Sequence, residues 1–136
     1  MSDLAAPRAV FQRLIDGVTG RRYAELPLLY AEDAVVTHPF AAPASRLVGR
    51  AGLRAHFARV PELPIEMRAR DVVVHETADP EVIVAEFAYE GRVTTTGRAF
   101  TVPNIFVMRV RDGLIVESRD YAHHAAFAEA LADAFP

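Results

Sequence analysis

Two titratable side chains lie inside apolar stretches far apart in the chain. His38 lies within the run Ala34-Val35-Val36-Thr37-His38-Pro39-Phe40, and Asp120 ends Leu114-Ile115-Val116-Glu117-Ser118-Arg119-Asp120. An imidazole or a carboxylate is costly in such a setting unless it has a partner or a task. Histidine takes up a proton near neutral pH without help, so His38 could serve as a general base. Asp120 could orient it, hold its charged form, or shuttle a proton itself. Asn104, between Val102 and Phe106 on one strand face, offers an amide to a carbonyl oxygen or a developing oxyanion. Each also has a plainer reading. His38 could be a strand-end histidine bonded to backbone. Asp120 could pair with Arg50, Arg54 or Arg119, and Asn104 could satisfy a bulge or sheet edge marked by Pro103.

The elements that must position these groups follow from hydrophobic periodicity. Val10, Phe11, Leu14, Ile15 and Val18 recur at helical spacing, which predicts an amphipathic helix over 5–19, stopped at Thr19-Gly20. A second short helix is expected over 21–30, weakened or kinked by Pro27. Residues 34–37 read as a short strand that leaves at His38-Pro39, and 40–47 as a loop. A third helix spans 49–60, with Leu53, Phe57 and Val60 on one stripe. From there the period changes to two, and strands are expected at 66–77, 81–92, 98–111 and 114–122. Ala78-Asp79-Pro80, Thr96-Gly97 and Arg111-Asp112-Gly113 carry the turn signals, and such short connections join antiparallel neighbours. A last helix runs over 123–134. Helices gathered on one face of a curved antiparallel sheet make an α+β domain over 1–136 with a conical cavity suited to a small, mostly apolar ligand.

Strand parity places Asp120 with Leu114, Val116 and Ser118, so that an inward Val116 implies an inward Asp120. The residues expected to line or floor the cavity are Phe11, Leu14, Val18, Phe40, Phe57, Phe87, Val102 and Phe106, with Ser118 beside Asp120. Tyr30 and Tyr89 could add a hydroxyl, although such tyrosines are more often core with a wet tip. His56 and His75 read as structural or exposed. His123 and His124 read as an exposed helix start, from which one could reach the cavity mouth.

With no cysteine among 136 residues, disulfides, thiolate metal sites and cysteine nucleophiles are excluded. No histidine pair has ligand spacing, so neither a metal nor another cofactor is expected. A formal net charge of -3 gives no basic footprint for nucleic acid. No apolar run is long enough to cross a bilayer, and the first residues do not read as a secretory leader. A soluble cytoplasmic protein without nucleic-acid or membrane partners is the expectation.

Three segments carry a family resemblance: Tyr30-Ala31-Glu32-Asp33-Ala34 with His38-Pro39-Phe40, Gly49-Arg50 opening the third helix, and Ile115 through Arg119-Asp120-Tyr121. Together with the order of elements they resemble the nuclear transport factor 2 (NTF2)-like superfamily, and within it the SnoaL-like polyketide cyclases and ketosteroid isomerase relatives. The resemblance implies a cystatin-like cone. It also carries departures. Ketosteroid isomerases have an aspartate base where this chain has His38, and their oxyanion donors fall at Leu14 and Phe106. The arginine and second aspartate of limonene epoxide hydrolases fall at Asn104 and Phe106.

The expectation is a small cofactor-independent enzyme, isomerase- or cyclase-like, in which His38 takes a proton beside a carbonyl, Asp120 orients or recharges it, and Asn104 polarises the oxygen. Two other classes stand beside it: a non-catalytic binding module for an apolar metabolite, and a dimerisation scaffold. Thr101, Ile105, Val107 and Tyr121 form an apolar outer sheet face that a second copy is expected to cover, giving a homodimer.

Overall fold

The computed structural model describes residues 3–135. Its elements in chain order are α1 (Pro7–Thr19), β1 (Tyr30–His38), β2 (Ser45–Val48), α2 (Gly49–Arg59), β3 (Ile65–Glu76), β4 (Val82–Val93), β5 (Ala99–Arg111), β6 (Leu114–Ala122) and α3 (His124–Leu131). Short 3₁₀ turns at Asp3–Ala5, Tyr23–Leu29 and Val60–Glu62 link them. The expected second helix is thus a 3₁₀ segment. Pro27 lies inside it and removes a backbone donor that an α-helix needs.

The six strands form one open sheet in the order β2-β1-β6-β5-β4-β3. The predicted meander is present as β3 to β6, each antiparallel to the next. Asp112 and Gly113, both at positive φ, make the two-residue turn between β5 and β6, a backbone twist that suits a hairpin. One pairing departs from the expected all-antiparallel sheet: β1 runs parallel to β6. Most of the chain lies between these two strands, so no hairpin constrains their direction. β1 is also longer than expected, and β2 appears within the expected loop as its short antiparallel neighbour.

Burial falls into two clusters. The larger joins α1 (Val10, Phe11, Leu14, Ile15) to Phe87, Phe106, Met108 and Ile115 of the sheet and to Leu53 and Phe57 of α2. Phe11 meets Phe87 and Phe106 edge-on at 5.4 and 6.4 Å. This accounts for the apolar stripe of α1, which lies across the concave face. The smaller cluster is Ile65, Val93, Phe100 and Val102, closed by Ala130 and Ala134 at the C-terminal end. Tyr89 packs against both. Gly49 opens α2 at φ +75°, where an added Cβ would stand 3.1 Å from the Glu32 carbonyl oxygen, so glycine is what lets the helix start against β1.

Candidate functional site

A cavity of about 270 Å³ lies between the sheet and the helices. Leu14 and Val18 reach it from α1, Leu53, His56 and Phe57 from α2, and Phe127 from α3. The sheet contributes Tyr30, Val36 and His38 from β1, Tyr89 from β4, Val102, Asn104 and Phe106 from β5, and Asp120 from β6.

Asp120 is 9% exposed, on the inner face of a central strand. It gets there by a route the parity rule does not describe. Val110 pairs with Ile115 and Arg109 with Glu117, so Val116 is an extra residue that resets the alternation. Ile115, Ser118 and Asp120 are buried, while Val116 is only half-buried. One oxygen, Oδ1, accepts a hydrogen bond from the Ser118 hydroxyl. The other, Oδ2, faces His38 Nε2 at 3.8 Å, too far for a hydrogen bond. Burial in apolar surroundings pushes the Asp120 carboxyl up to about 7, and the Ser118 bond opposes this only in part.

His38 stands at the end of β1, where its cross-strand partner is Ser45. Its Nδ1 lies 3.3 Å from the Ser45 hydroxyl, leaving Nε2 toward Asp120. Two further imidazoles surround it, with ring centroids 6.0 Å (His56) and 5.6 Å (His124) away. Burial first, and then these two neighbours, lower His38 to about 4. Burial lowers His56 and His124 as well. Close as they are, His38 and Asp120 therefore do not form an ion pair: near neutral pH the imidazole is uncharged and the carboxyl is divided between acid and carboxylate, because burial penalises both charges.

Asn104 is buried and also lines the cavity. Its Nδ2 donates to the Val102 carbonyl at 2.9 Å, which uses one of its two amide protons. Pro103 marks no bulge: β5 pairs in register with β4 through it. It sits where β6 has ended, since pairing with β6 begins at Asn104 and the Pro103 carbonyl accepts from His123 of the next turn. Tyr30 is held by α2, because the Arg50 guanidinium donates twice to its carbonyl. The hydroxyls of Tyr30 and Tyr89 stay protonated. Burial and the Asp120 carboxylate raise both.

Four expected lining residues lie elsewhere. Phe11 is fully buried in the core, edge-on to Phe87 and Phe106. Phe40 is 66% exposed and packs on Tyr121 over the outer face, because the chain turns outward after His38. Phe87 points inward but is consumed in packing with Phe11, Phe106 and Tyr89 beneath the cavity. Ser118 is buried behind Asp120 and supports it without reaching the space. The reading of His56 as structural or exposed is also corrected, since it lines the cavity. Its position, three after Leu53 and four before Val60, was the signal. Tyr23 escapes the sequence reading altogether, lying in the segment whose helix is a 3₁₀ turn. His124 reaches the cavity while His123 caps α3, its Nδ1 accepting from the Ala126 amide. His124 Nε2 is the one buried side-chain nitrogen or oxygen without a partner among the described residues. Those residues also contain no cluster of histidine and carboxylate groups arranged to hold a metal.

Comparison with known proteins agrees with this architecture. The SnoaL-like domain matches residues 11–118. An uncharacterized PhzA/B-like protein of Pseudomonas aeruginosa is 33% identical over 121 residues, covering 88% of this chain and 83% of that one. A crystal structure from Bacillus subtilis, of a protein given the provisional designation isomerase, superposes with a TM-score of 0.87 at 25% identity, covering 97% and 96% of the two chains. A provisionally designated polyketide cyclase of Pseudomonas putida superposes with a TM-score of 0.74 at 18% identity, covering 90% and 95%. The fold is NTF2-like, of the kind found in cyclase- and isomerase-type proteins. By the span of the match and the identity to its relative, the chain belongs to the SnoaL-like domain family.

Proposed function

We propose that the protein is a small enzyme performing acid/base chemistry on a small apolar carbonyl compound, of isomerase or cyclase type, with Asp120 as the proton carrier. The observation that carries this is a buried carboxyl on an apolar cavity, poised near neutrality, with a neutral imidazole at its free oxygen. A base whose pKa lies near the working pH combines availability with driving force. Relative to the sequence expectation, the roles exchange. Asp120, held by the Ser118 hydroxyl, takes the proton, while His38, too weakly basic to hold one, faces its free oxygen as a neutral ring. The proton leaves the carbon beside the carbonyl for Asp120 Oδ2, and the charge moves onto the carbonyl oxygen. Where the substrate carries a β,γ double bond, the same proton then returns to the γ carbon as the double bond moves into conjugation with the carbonyl, which is isomerisation. Alternatively the enolate attacks a second carbonyl and the proton ends on the new alkoxide, which is cyclisation. Neither route needs a redox or group-carrying cofactor, because only protons and electron pairs within the substrate move.

The test is exchange of α-hydrogens of a small cyclic ketone in deuterated water, followed by NMR. Asp120→Asn should slow exchange by roughly 10²–10⁴-fold. The wild-type rate should rise with pH through about 7 as the carboxyl ionises. Unchanged exchange in Asp120→Asn would show that the carboxyl is not the base, and would favour the binding-module reading.

For the outer face the proposal is a second copy of the chain. A shallow apolar groove there of about 690 Å³ is lined by Phe40, Pro103, Ile105 and Tyr121, with Ile105 44% exposed. Sedimentation at micromolar concentration should show a dimer, and a monomer would refute it.

A further inference from the structure

The cavity's size and lining constrain its ligand more tightly than the acid/base reading requires. At about 270 Å³ it falls just below the roughly 300–1,000 Å³ that drug-sized ligands occupy. One or two rings fill it, whereas a four-ring skeleton would have to leave much of itself outside.

Charge narrows the class further. Among the described residues no arginine lines the space, and the chain contains no lysine. An anionic ligand would give up its hydration and find no cation. A cationic ligand would find one carboxyl, Asp120, which itself resists ionising, and three imidazoles that offer a cation little. Burying a charge without a firm partner is strongly unfavourable, so the walls suit a neutral guest.

The lining also carries three hydroxyls with nothing in the protein to bond to. Tyr23, Tyr30 and Tyr89 all border the cavity, and among the described residues none of their hydroxyls enters a hydrogen bond. None of the three is sealed off, since His124 Nε2 is the one buried side-chain nitrogen or oxygen without a partner among the described residues; the hydroxyls open onto the cavity, where water or a guest supplies the partner. They lie within electrostatic reach of one another and of the base: Tyr89 feels Tyr23 and Asp120, and Tyr30 feels Asp120 and Tyr89. All three remain O–H donors, since each is raised above its ordinary value by burial. Leu14 and Phe106, which border the same space, offer no donor.

We infer that the cavity takes an uncharged ketone or enone of one or two rings, its oxygen anchored among the hydroxyls of Tyr23, Tyr30 and Tyr89. The carbonyl in this statement rests on the proposed acid/base function. The size limit, the neutrality and the tyrosine anchor rest on the cavity itself.

Binding can be followed by intrinsic fluorescence, because the chain has no tryptophan and three of its four tyrosines line the cavity. Four probes separate the outcomes: β-tetralone, its hydrocarbon twin tetralin, protonated aminotetralin, and the four-ring ketone androstenedione. β-Tetralone should bind about tenfold more tightly than each of the others, the margin of one satisfied hydrogen bond. The double variant Tyr30→Phe with Tyr89→Phe should lose that margin over tetralin while its tetralin affinity stays unchanged, showing that the cavity has survived. A four-ring ketone or an ammonium binding as well as β-tetralone would overturn the inference. So would a double variant that keeps the ketone-over-hydrocarbon ratio, or failure of every probe to bind. Asp120→Asn should keep the preference. Selectivity without α-hydrogen exchange in the wild type would therefore sink the acid/base reading alone, and exchange without selectivity would sink this inference alone.

Discussion

The molecule treats its polar groups in opposite ways on the solvent side and in the cavity. Outside, charges are plentiful and matched. Arg68 and Arg70 share Glu90, Arg92 meets Glu66, and Arg109 is held between Asp79 and Glu81 while Arg111 takes the other side of Glu81. All fifteen cationic side chains are arginine, whose planar fork suits such shared carboxylates. Inside, the groups are few and under-partnered: a carboxyl with one hydrogen-bond donor that resists ionising, three weakened imidazoles and three tyrosine hydroxyls with no partner among the described residues. The paired exterior has water as an alternative partner and so stores little free energy. Burial leaves the cavity's carboxyl and imidazoles far less of that alternative, and protonation there is tied to folding.

The comparison is sharpest at Asp120. Its folded pKa, about 7, lies above the ordinary 3.8, so the folded chain binds the extra proton between those values and stability falls as pH rises through that window. Three units correspond to about 4 kcal/mol as an order of magnitude. Asp120→Asn should match wild type near pH 4 and exceed it by a few kcal/mol above pH 7, read from urea unfolding at both. An equal difference at the two pH values would place the carboxyl in water.

His38 gives the opposite slope. Lowered from 6.5 to about 4, it binds fewer protons folded than unfolded, so stability is lost as pH falls across that interval. His38→Gln should gain relative to wild type in acid by about 2–3 kcal/mol, a figure reduced because the ring is partly open to solvent. Between pH 4 and 6.5 the pair carries one proton in both states, so its two slopes nearly cancel in the wild type. His56 and His124 add a rise with pH, since both are also lowered.

Smaller still is the effect expected of Tyr23→Phe, which removes an unpaired hydroxyl. Its unfolding free energy should stay level or rise by up to about 1 kcal/mol. A clear loss would mean that the hydroxyl is satisfied after all. The smallest effect belongs to the exterior: Arg109→Ala should leave the melting temperature nearly unchanged, with any difference vanishing in high salt. A large, salt-resistant loss would erase the contrast between the two regions.

The long strands and α1 are legible in the sequence because their periodicity runs long enough to survive a register shift in β3 and another in β6. β1 and β2 are only partly so. β1 shifts register between Tyr30 and Val35, and β2 is four residues long within a proline-containing loop. Residue type alone raises the idea that His38 approaches Asp120, but no local pattern can fix it, since it depends on a parallel pairing between strands remote in the chain. Asp120 does face inward, yet the premise about Val116 that pointed there fails at the bulge. Phe40 and Phe87 show the limit of counting faces: periodicity gives the side of an element, not whether a neighbour has already filled the space. His56 is readable from its helical stripe, but its chemical type draws attention from its position.

The seam between the two apolar clusters has a mechanical corollary. Its hollow is walled by members of both, with Leu53 and Phe57 on one bank and Ile65, Val102 and Phe127 on the other. A guest lodged there acts as mortar, fastening the closing helix and its hairpin to the remainder of the body. Amide protection along α3 becomes a gauge of occupancy, registering a bound molecule even when that molecule is never transformed.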